Sequence, residues 1–490
     1  MTRLFVILTS LLAGLVATNP PGAQRATGTE IVIEGTLTAA DRLAWIDRAF
    51  DVPAGTGRID VETSFTGKDQ GTALEFGIYD PVRFRGASRF SKDRFFISRT
   101  AASASYHPGE LQPGKWRILI GVPSIRDGVT STYRITIRAT PEDPPSPEPA
   151  ALPATSTTAG PGWYQGDLHT HTMHSDGFGC ADGRGGLGPC AVHQVVDAAA
   201  RRGLDFIAVT DHNTTSHHND LAILQLQHPR MLLLRGQEVT TFYGHANVYG
   251  TGDVVDFRIG HPGVTADTMF AQARRLGALL TINHPARETG ETCTGCGWNA
   301  ANTDWSQLES MEVVNAFTSS GPTAGEPFWH ARLNEGHRIT GVGGSDDHAA
   351  STRAGTAVGT PTTAIYAESL SEQGLIAGIR SGRVYIKVRG PEAPDIRFTA
   401  AALNASMGDV VKADAVKGPV QFTVDVMRGH GQRVEVIRNG GVVSGAAAAP
   451  VEGRTSTVRF TLPVAKGDWV RVNLRDTSGV TVIGNPIYFR

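Results

Sequence analysis

The chain has 490 residues, 40% of them hydrophobic and 19% charged, with a formal net charge of −2. This is ordinary globular composition, long enough for roughly three domains. The near-neutral balance argues against a nucleic-acid surface built on net charge, and no apolar run reaches the ~20 residues that span a bilayer.

Met1-Thr-Arg3 followed by the apolar run Leu4–Ala17 reads as a signal peptide over residues 1–25, which implies a periplasmic or secreted protein. Residues 28–140 carry short alternating runs broken by turn residues, among them IVIEGTLT, RIDVETSF, ALEFGIYD and TYRITIRAT. That period of two predicts an all-β sandwich domain. Residues 141–161 are rich in Pro, Ser and Thr and form a stiff linker.

From 162 to 389 the pattern changes to strands alternating with helices. A strand over Tyr164–Leu168 leads into His169-Thr-His171. Side chains two apart on an extended chain share a face, so both imidazoles point the same way. Asp176 follows just before Gly177, and His174 lies within reach of the same turn. Two neutral imidazoles with a carboxylate make a nest for a divalent metal.

Four later segments repeat the arrangement. LDFIAVT (204–210) precedes Asp211-His212, and MLLLR (231–235) precedes Glu238 with His245 shortly after. ALLTIN (278–283) precedes His284, and ITGVGG (339–344) precedes Ser345-Asp346-Asp347-His348. In each case the metal-type residue follows an apolar run, where parallel α/β sheets and barrels place their chemistry. Helices are predicted from the spacing of Val192, Val195, Val196 and Ala199, from Thr265 to Gly277, and over Glu326–Glu335 and Ser371–Arg380. The repeated β-α units predict a parallel sheet closed as a barrel. Residues 390–490 return to alternation and predict a second β sandwich domain.

Export gives the four cysteines an oxidising setting, where disulfides are favoured. Cys180 with Cys190 and Cys293 with Cys296 are the expected local pairs, each in a loop leaving a metal-bearing strand end. A four-cysteine zinc site fits the spacing poorly, and nothing thioredoxin-like surrounds CTGC.

With this motif set assembled, the region from Gly166 to about Lys387 resembles the PHP family (polymerase and histidinol phosphatase metallohydrolases). The residues that carry the resemblance are His169 and His171, Asp176 in HSDG, His212 in TDHN, Glu238 in GQE, His245, His284 in INHP, and Asp346 with His348. The signal, the β flanks and the terminal GNPIYF look most like the CehA/McbA (carbaryl-hydrolase type) branch. The resemblance implies a distorted β/α barrel of about seven strands holding two or three divalent ions. His169, His171, Glu238 and Asp346 would hold one ion, and Glu238 would bridge to a second held by His245 and His284. Asp176, His212 and His348 would hold a third, the SDG match favouring Asp176 over His174.

Imidazole with carboxylate suits zinc, manganese or iron. Three carboxylates against three such ions leave a positive centre suited to a hydroxide nucleophile. The reading is therefore an exported metal-dependent hydrolase of a small molecule, with Asp211, Glu238 and Asp346 as its catalytic carboxylates. Asp211 would support the ligands or handle protons, and Asp347 is expected to point outward. The favoured bond is a carbamate, ester or amide, because the loops near the ligands offer aromatics but few cations beyond Arg184, Arg287 and Arg353. The rival is a phosphate ester. A non-catalytic envelope or carbohydrate-binding protein is the alternative of a different class, which the intact ligand set opposes. His217 and His218 are expected in a solvated loop, His193 and His330 as helix packing or surface residues. Met173, Phe178, Phe242, Tyr243, Trp298 and Trp305 are expected to pack or to line an apolar pocket.

Overall fold

Residues 28–141, 157, 159–291, 293–316, 321, 323–351, 357–446 and 450–490 are described by the computed structural model. The expected signal peptide, most of the expected linker and Arg353 lie outside them.

Strict alternation makes the first unit. Thr56–Phe65, for example, buries Ile59 and Val61 and turns Arg58 outward. Thr29–Thr38, Thr130–Pro141, Thr56–Phe65 and Arg94–Ser98 form one four-stranded sheet, in that order. Trp45–Val52, Gly114–Ser124, Ala73–Tyr79 and Phe84–Ala87 form another. Ile59, Phe76, Trp116, Ile118, Ile135 and Ile137 fill the space between them.

The central region contributes strands β1 (Gly162–Asp167), β2 (Phe206–Val209), β3 (Leu232–Thr241), β4 (Gly244–Tyr249) and β5 (Leu279–Ile282). It continues with β6 (Ser310–Asn315), β7 (Thr340–Gly344), β8 (Thr362–Ala367) and β9 (Val384–Lys387). They pair in the order β7-β6-β5-β4-β3-β2-β1-β8-β9. The pairs β1/β2, β2/β3, β5/β6 and β6/β7 are parallel and the others antiparallel. The helices are α1 (Val192–Arg201), α2 (His218–Gln225), α3 (Ala266–Arg275), α4 (Gly325–Asn334) and α5 (Glu372–Ser381). Four match the predicted segments. Thr265 and Ser371 cap α3 and α5 by accepting the backbone N–H of Thr268 and Gly374.

The fold is mixed α/β with more strand than helix. The expected closed β/α barrel is not shown by the strand pairing among the described residues. β8 pairs antiparallel with β1 and occupies the edge that β7 would need for closure. β7 and the segment after it still reach β8 and the end of β1: the Thr363 hydroxyl bonds Gly343 N and O at 2.8 and 2.7 Å, Asp346 N donates to His169 O at 2.9 Å, and Thr170 and Asp347 form a parallel bridge. The unit between β3 and β4 is a two-residue hairpin rather than a helical crossover. The C-terminal strands form two sheets packed on a shared core, one of which runs on from the central sheet. Gly479–Gly484 pairs with β9, so one C-terminal sheet continues the central one. The four-stranded sheet containing Asp395–Ala400 and Val420–Met427 packs with it, sharing a core with Ala364 and Tyr385 of β8 and β9.

The N-terminal sandwich lies against the central sheet through apolar contacts. Trp45 stacks on Phe242 at 4.3 Å, and Phe84 meets Phe257 edge-on at 5.4 Å. Such aromatic pairs add about 0.5–1.5 kcal/mol beyond area burial. No described helix is long and apolar enough to cross a membrane.

Candidate metal centre

β1 ends at Asp167, whose fully buried carboxylate accepts the backbone N–H groups of His169, Ser345 and Gly359. It thereby ties the start of the His169–His171 loop to the end of β7. Within that loop, Nε2 of His169 and Nε2 of His171 converge to 3.0 Å. Asp346, in left-handed backbone at φ 55°, brings Oδ1 to 3.3 and 3.2 Å from those two nitrogens.

Glu238 sits at the middle of the cluster. Its carboxylate lies 2.6 Å from His212 Nδ1, 3.2 Å from His245 Nδ1, 3.4 Å from His169 and His284 Nε2, and 3.6 Å from His171 Nε2. Glu238 and His245 lie inside the β3–β4 hairpin, Glu238 well before the end of its strand, which departs from the strand-end pattern read from sequence. A hairpin places both on one face because side chains alternate along each strand. Asp176 Oδ1 lies 3.5 Å from His212 Nε2 and 3.3 Å from His348 Nε2. All nine expected metal residues therefore converge. His174 turns away, its ring nitrogens near Ser216 Oγ at 2.7 Å and Asp220 Oδ2 at 3.1 Å.

These side chains form four overlapping sets of possible ligand atoms: His171/Asp176/His212/His348, His169/His171/Glu238, His169/His284/Asp346 and Glu238/His245/His284. The donor chemistry fits divalent ions. His245 Nε2 is buried with no hydrogen bond. His212 Nδ1 makes its hydrogen bond with Thr240 Oγ1 at 2.6 Å, leaving Glu238 Oε2 without one although it is equally near.

Electrostatics sorts the protons. Burial pushes the carboxyl pKa values of Glu238 and Asp346 up, but the surrounding imidazoles outweigh it and hold both well below the usual range. Asp176 behaves in the same way between His212 and His348. Burial pushes His245 down to about 3, and burial with the charges of His348 and His212 pushes His171 down to about 4. His171 and His245 are thereby held neutral, the state a metal ligand needs, whereas the neighbouring carboxylates outweigh burial and raise His169, His212 and His348, the last to about 9 through Asp176.

Supporting residues absent from the sequence reading complete the centre. Glu312 of β6 places Oε1 2.9 Å from His169 Nδ1, and its Oε2 accepts His284 N at 2.9 Å and Asn315 Nδ2 at 3.0 Å. Asn283 donates to Glu238 Oε1 at 2.9 Å. The signal for Glu312 was a carboxylate inside the otherwise apolar run MEVV. Arg89 of the N-terminal sandwich brings Nη1 to 2.9 Å from His212 Nε2, across 123 residues of sequence.

Asp211 lies outside the ligand sets. It accepts Thr172 N at 2.7 Å, Thr172 Oγ1 at 2.6 Å and Ser175 Oγ at 2.6 Å, so it shapes the His171–Asp176 turn. Asp347, expected to point outward, is instead buried and accepts the N–H groups of Ala349 and Ser351; burial raises it to about 6. His217 and His218 correct the solvated-loop expectation. His217 is fully buried, with Nε2 near Val209 O and Gly236 O, and His218 Nε2 lies 2.9 Å from Gly236 O. The N-terminal sandwich covers their loop, Thr214 Oγ1 donating to Ser105 O at 3.0 Å.

Among the other expected residues, His193 is exposed on α1, while His330 lies 2.8 Å from Arg471 Nη2. Arg287 Nη1 lies 3.3 Å from Asp346 Oδ2, whereas Arg184 is exposed in the turn between Cys180 and Cys190. Phe242 and Trp298 are buried, Tyr243 and Trp305 half-buried, and Phe178 is exposed. Both cysteine pairs form as expected, with Cα separations of 5.0 Å for Cys180–Cys190 and 5.5 Å for Cys293–Cys296.

No family model and no curated protein sequence matches the chain. Among solved structures, it is similar to a two-domain protein containing a predicted PHP-like metal-dependent phosphoesterase from Bacteroides vulgatus. That match has 17% identity and a TM-score of 0.38, and covers 70% of this chain and 98% of the other. It is also similar to a proposed metal-dependent phosphoesterase from Bifidobacterium adolescentis, at 14% identity and a TM-score of 0.29, covering 47% and 96%. At these values neither protein lends a substrate or a residue role to this chain.

Proposed function

We propose that the chain is a PHP-type multinuclear metal-dependent hydrolase. The observation that carries this reading is Glu238, one carboxylate within 3.6 Å of five imidazoles from four segments of the chain. So much converging charge and desolvation needs a compensating function, because burying it otherwise costs stability. His169, His171, Glu238 and Asp346 would hold one ion, Glu238, His245 and His284 a second, and Asp176, His212 and His348 a third. Bound divalent ions would bring the pKa of a coordinated water toward ~7 and draw charge from the scissile bond. The chain's own residues keep the ligands poised: Glu312 orients His169, Asn283 orients Glu238, and Asp211 holds the turn that presents Asp176.

The cations near the centre favour one substrate class over the other. The carbonyl preference drawn from sequence rested on their scarcity, and the tertiary structure brings Arg287 to Asp346 and Arg89 to His212. Guanidinium groups beside a metal cluster suit a phosphoryl group, so a phosphate ester is the first reading. A carbamate or carboxylic ester, the CehA/McbA-type reading, is the second; it is supported by Phe178, an exposed aromatic residue whose backbone N–H donates to His348 O at 2.7 Å. Export to an oxidising compartment belongs to the same proposal and is supported by the two cysteine pairs.

The test is elemental analysis of purified protein, followed by initial rates on bis(p-nitrophenyl) phosphate, p-nitrophenyl phosphate, p-nitrophenyl acetate and an aryl N-methylcarbamate. Two or three ions per chain and faster turnover of a phosphate ester are expected. Fewer than two ions refutes the multinuclear centre, and faster turnover of both carbonyl substrates replaces the phosphoester reading.

A further inference from the structure

We infer that the N-terminal β sandwich is a working part of the active site, with Arg89 as the residue that receives the anionic group of the substrate. This rests on the phosphoester reading above. Among the nine side chains of the centre, Asp176 and His348 are 38% and 31% exposed while the other seven are 5% or less. The centre therefore opens on the side of His212, Asp176 and His348, and that is where Arg89 stands, 2.9 Å from His212 Nε2.

Its loop is built to hold it there. Arg89 adopts left-handed backbone at φ 45°, in the connection between Phe84–Ala87 and Arg94–Ser98. Ser88 on one side is bonded by Tyr106 Oη at 2.9 Å, and Ser91 N donates to Ser88 O at 2.9 Å. Lys92 on the other side donates to Met173 O at 3.0 Å, inside the turn that carries His171 and Asp176. Ser105, fully buried, donates from Oγ to His174 O at 2.5 Å and accepts Lys92 Nζ at 3.2 Å. The sandwich is thus fastened to the metal-bearing turn itself, which keeps the backbone of Arg89 beside the opening while its side chain can turn.

The chemistry of the guanidinium then points to its ligand. It has five N–H donors and no acceptor. Among the described residues no carboxylate lies within ion-pair distance of it, and its one polar side-chain partner is an imidazole nitrogen that is itself a candidate metal ligand. An ion on His212 Nε2 would take the lone pair that Arg89 now uses, leaving the guanidinium beside a positive centre. Asp176 lies 3.5 Å from the same His212 nitrogen and buried Glu75 feels the charges of both Arg89 and His212; the anionic group of a substrate, a phosphoryl above all, would supply the fork partner that guanidinium prefers.

The experiment uses the full chain loaded with manganese and measures inorganic phosphate binding by calorimetry, metal content by elemental analysis, and KM and kcat on p-nitrophenyl phosphate. Arg89→Ala is expected to keep its metal, to weaken phosphate binding by roughly 10- to 100-fold, and to raise KM. Arg89→Lys should recover part of the loss. Phosphate binding equal to wild type in Arg89→Ala, or loss of metal together with phosphate, overturns the inference. Wild-type protein that binds no phosphate overturns the phosphoester reading as well, so the two failures are told apart by the wild-type titration.

Discussion

Glu312 Oε1 lies 2.9 Å from Nδ1 of His169, while the opposite nitrogen of that ring faces Glu238 and Asp346. A carboxylate on one imidazole nitrogen fixes the ring's orientation and makes the other a stronger ligand. The packing around the pair is close: a Cβ on Gly344 would collide with both Glu312 Oε1 and His169 Cβ. Glu312→Gln, which keeps the shape and removes the charge, should lower metal affinity or kcat by roughly 10- to 100-fold. Chelator competition on the folded variant checks this. Metal retention and kcat equal to wild type would show that Glu312 only fills space.

Glu238 should be more sensitive still, because it faces five imidazoles rather than one. Glu238→Gln is expected to lose at least one ion per chain and more activity than the roughly 10- to 100-fold typical of a residue that only supports a ligand. Elemental analysis after gel filtration decides it; full metal occupancy in the variant would remove Glu238 from the bridging position.

Glu75 offers a pH test in protein stripped of metal. Burial pushes its carboxyl up to about 7 from an ordinary 4.5, against the opposing charges of Arg89 and His212. Between those two values the native state holds a proton that the unfolded chain has released. Its contribution is therefore fully present below pH 4.5 and is lost as pH rises toward 7, by about 3 kcal/mol at 1.36 kcal/mol per pH unit. Glu75→Gln should match wild type in denaturant melts at pH 4 and be more stable at pH 8. A difference independent of pH would mean that Glu75 does not titrate in this range.

The Cys180–Cys190 disulfide should matter more to the centre than to the fold. Cys190 O accepts Met173 N at 2.7 Å and Cys190 N donates to Gly177 O at 2.9 Å, so the bridge is stitched to the turn that carries Asp176. The Cys180→Ser/Cys190→Ser variant should lose about 2–4 kcal/mol of stability and retain metal less well, with its far-ultraviolet circular dichroism unchanged. Metal retention equal to wild type would confine the bridge to a structural role.

What the sequence determined by itself is local. Residues 28–140 alternate because each strand buries one face, which made their sheets legible. The spacing of His169 and His171, and the apolar runs before His212, His284 and Asp346, announced a metal centre because ligands and strand ends are encoded within a few residues. Tertiary structure decided the rest, since it depends on which distant segments share an edge or a face. β8 takes the edge of β1, and β9 carries the sheet into the C-terminal strands. No short window of sequence records either pairing. His217 reads as solvated until the N-terminal sandwich is laid over its loop. Arg89 carries no signal in the sequence, and only the same packing brings it 2.9 Å from His212. Contacts between residues 123 positions apart arise from packing two folded units together, and that choice lies in the complementarity of whole surfaces such as Trp45 on Phe242 rather than in any motif.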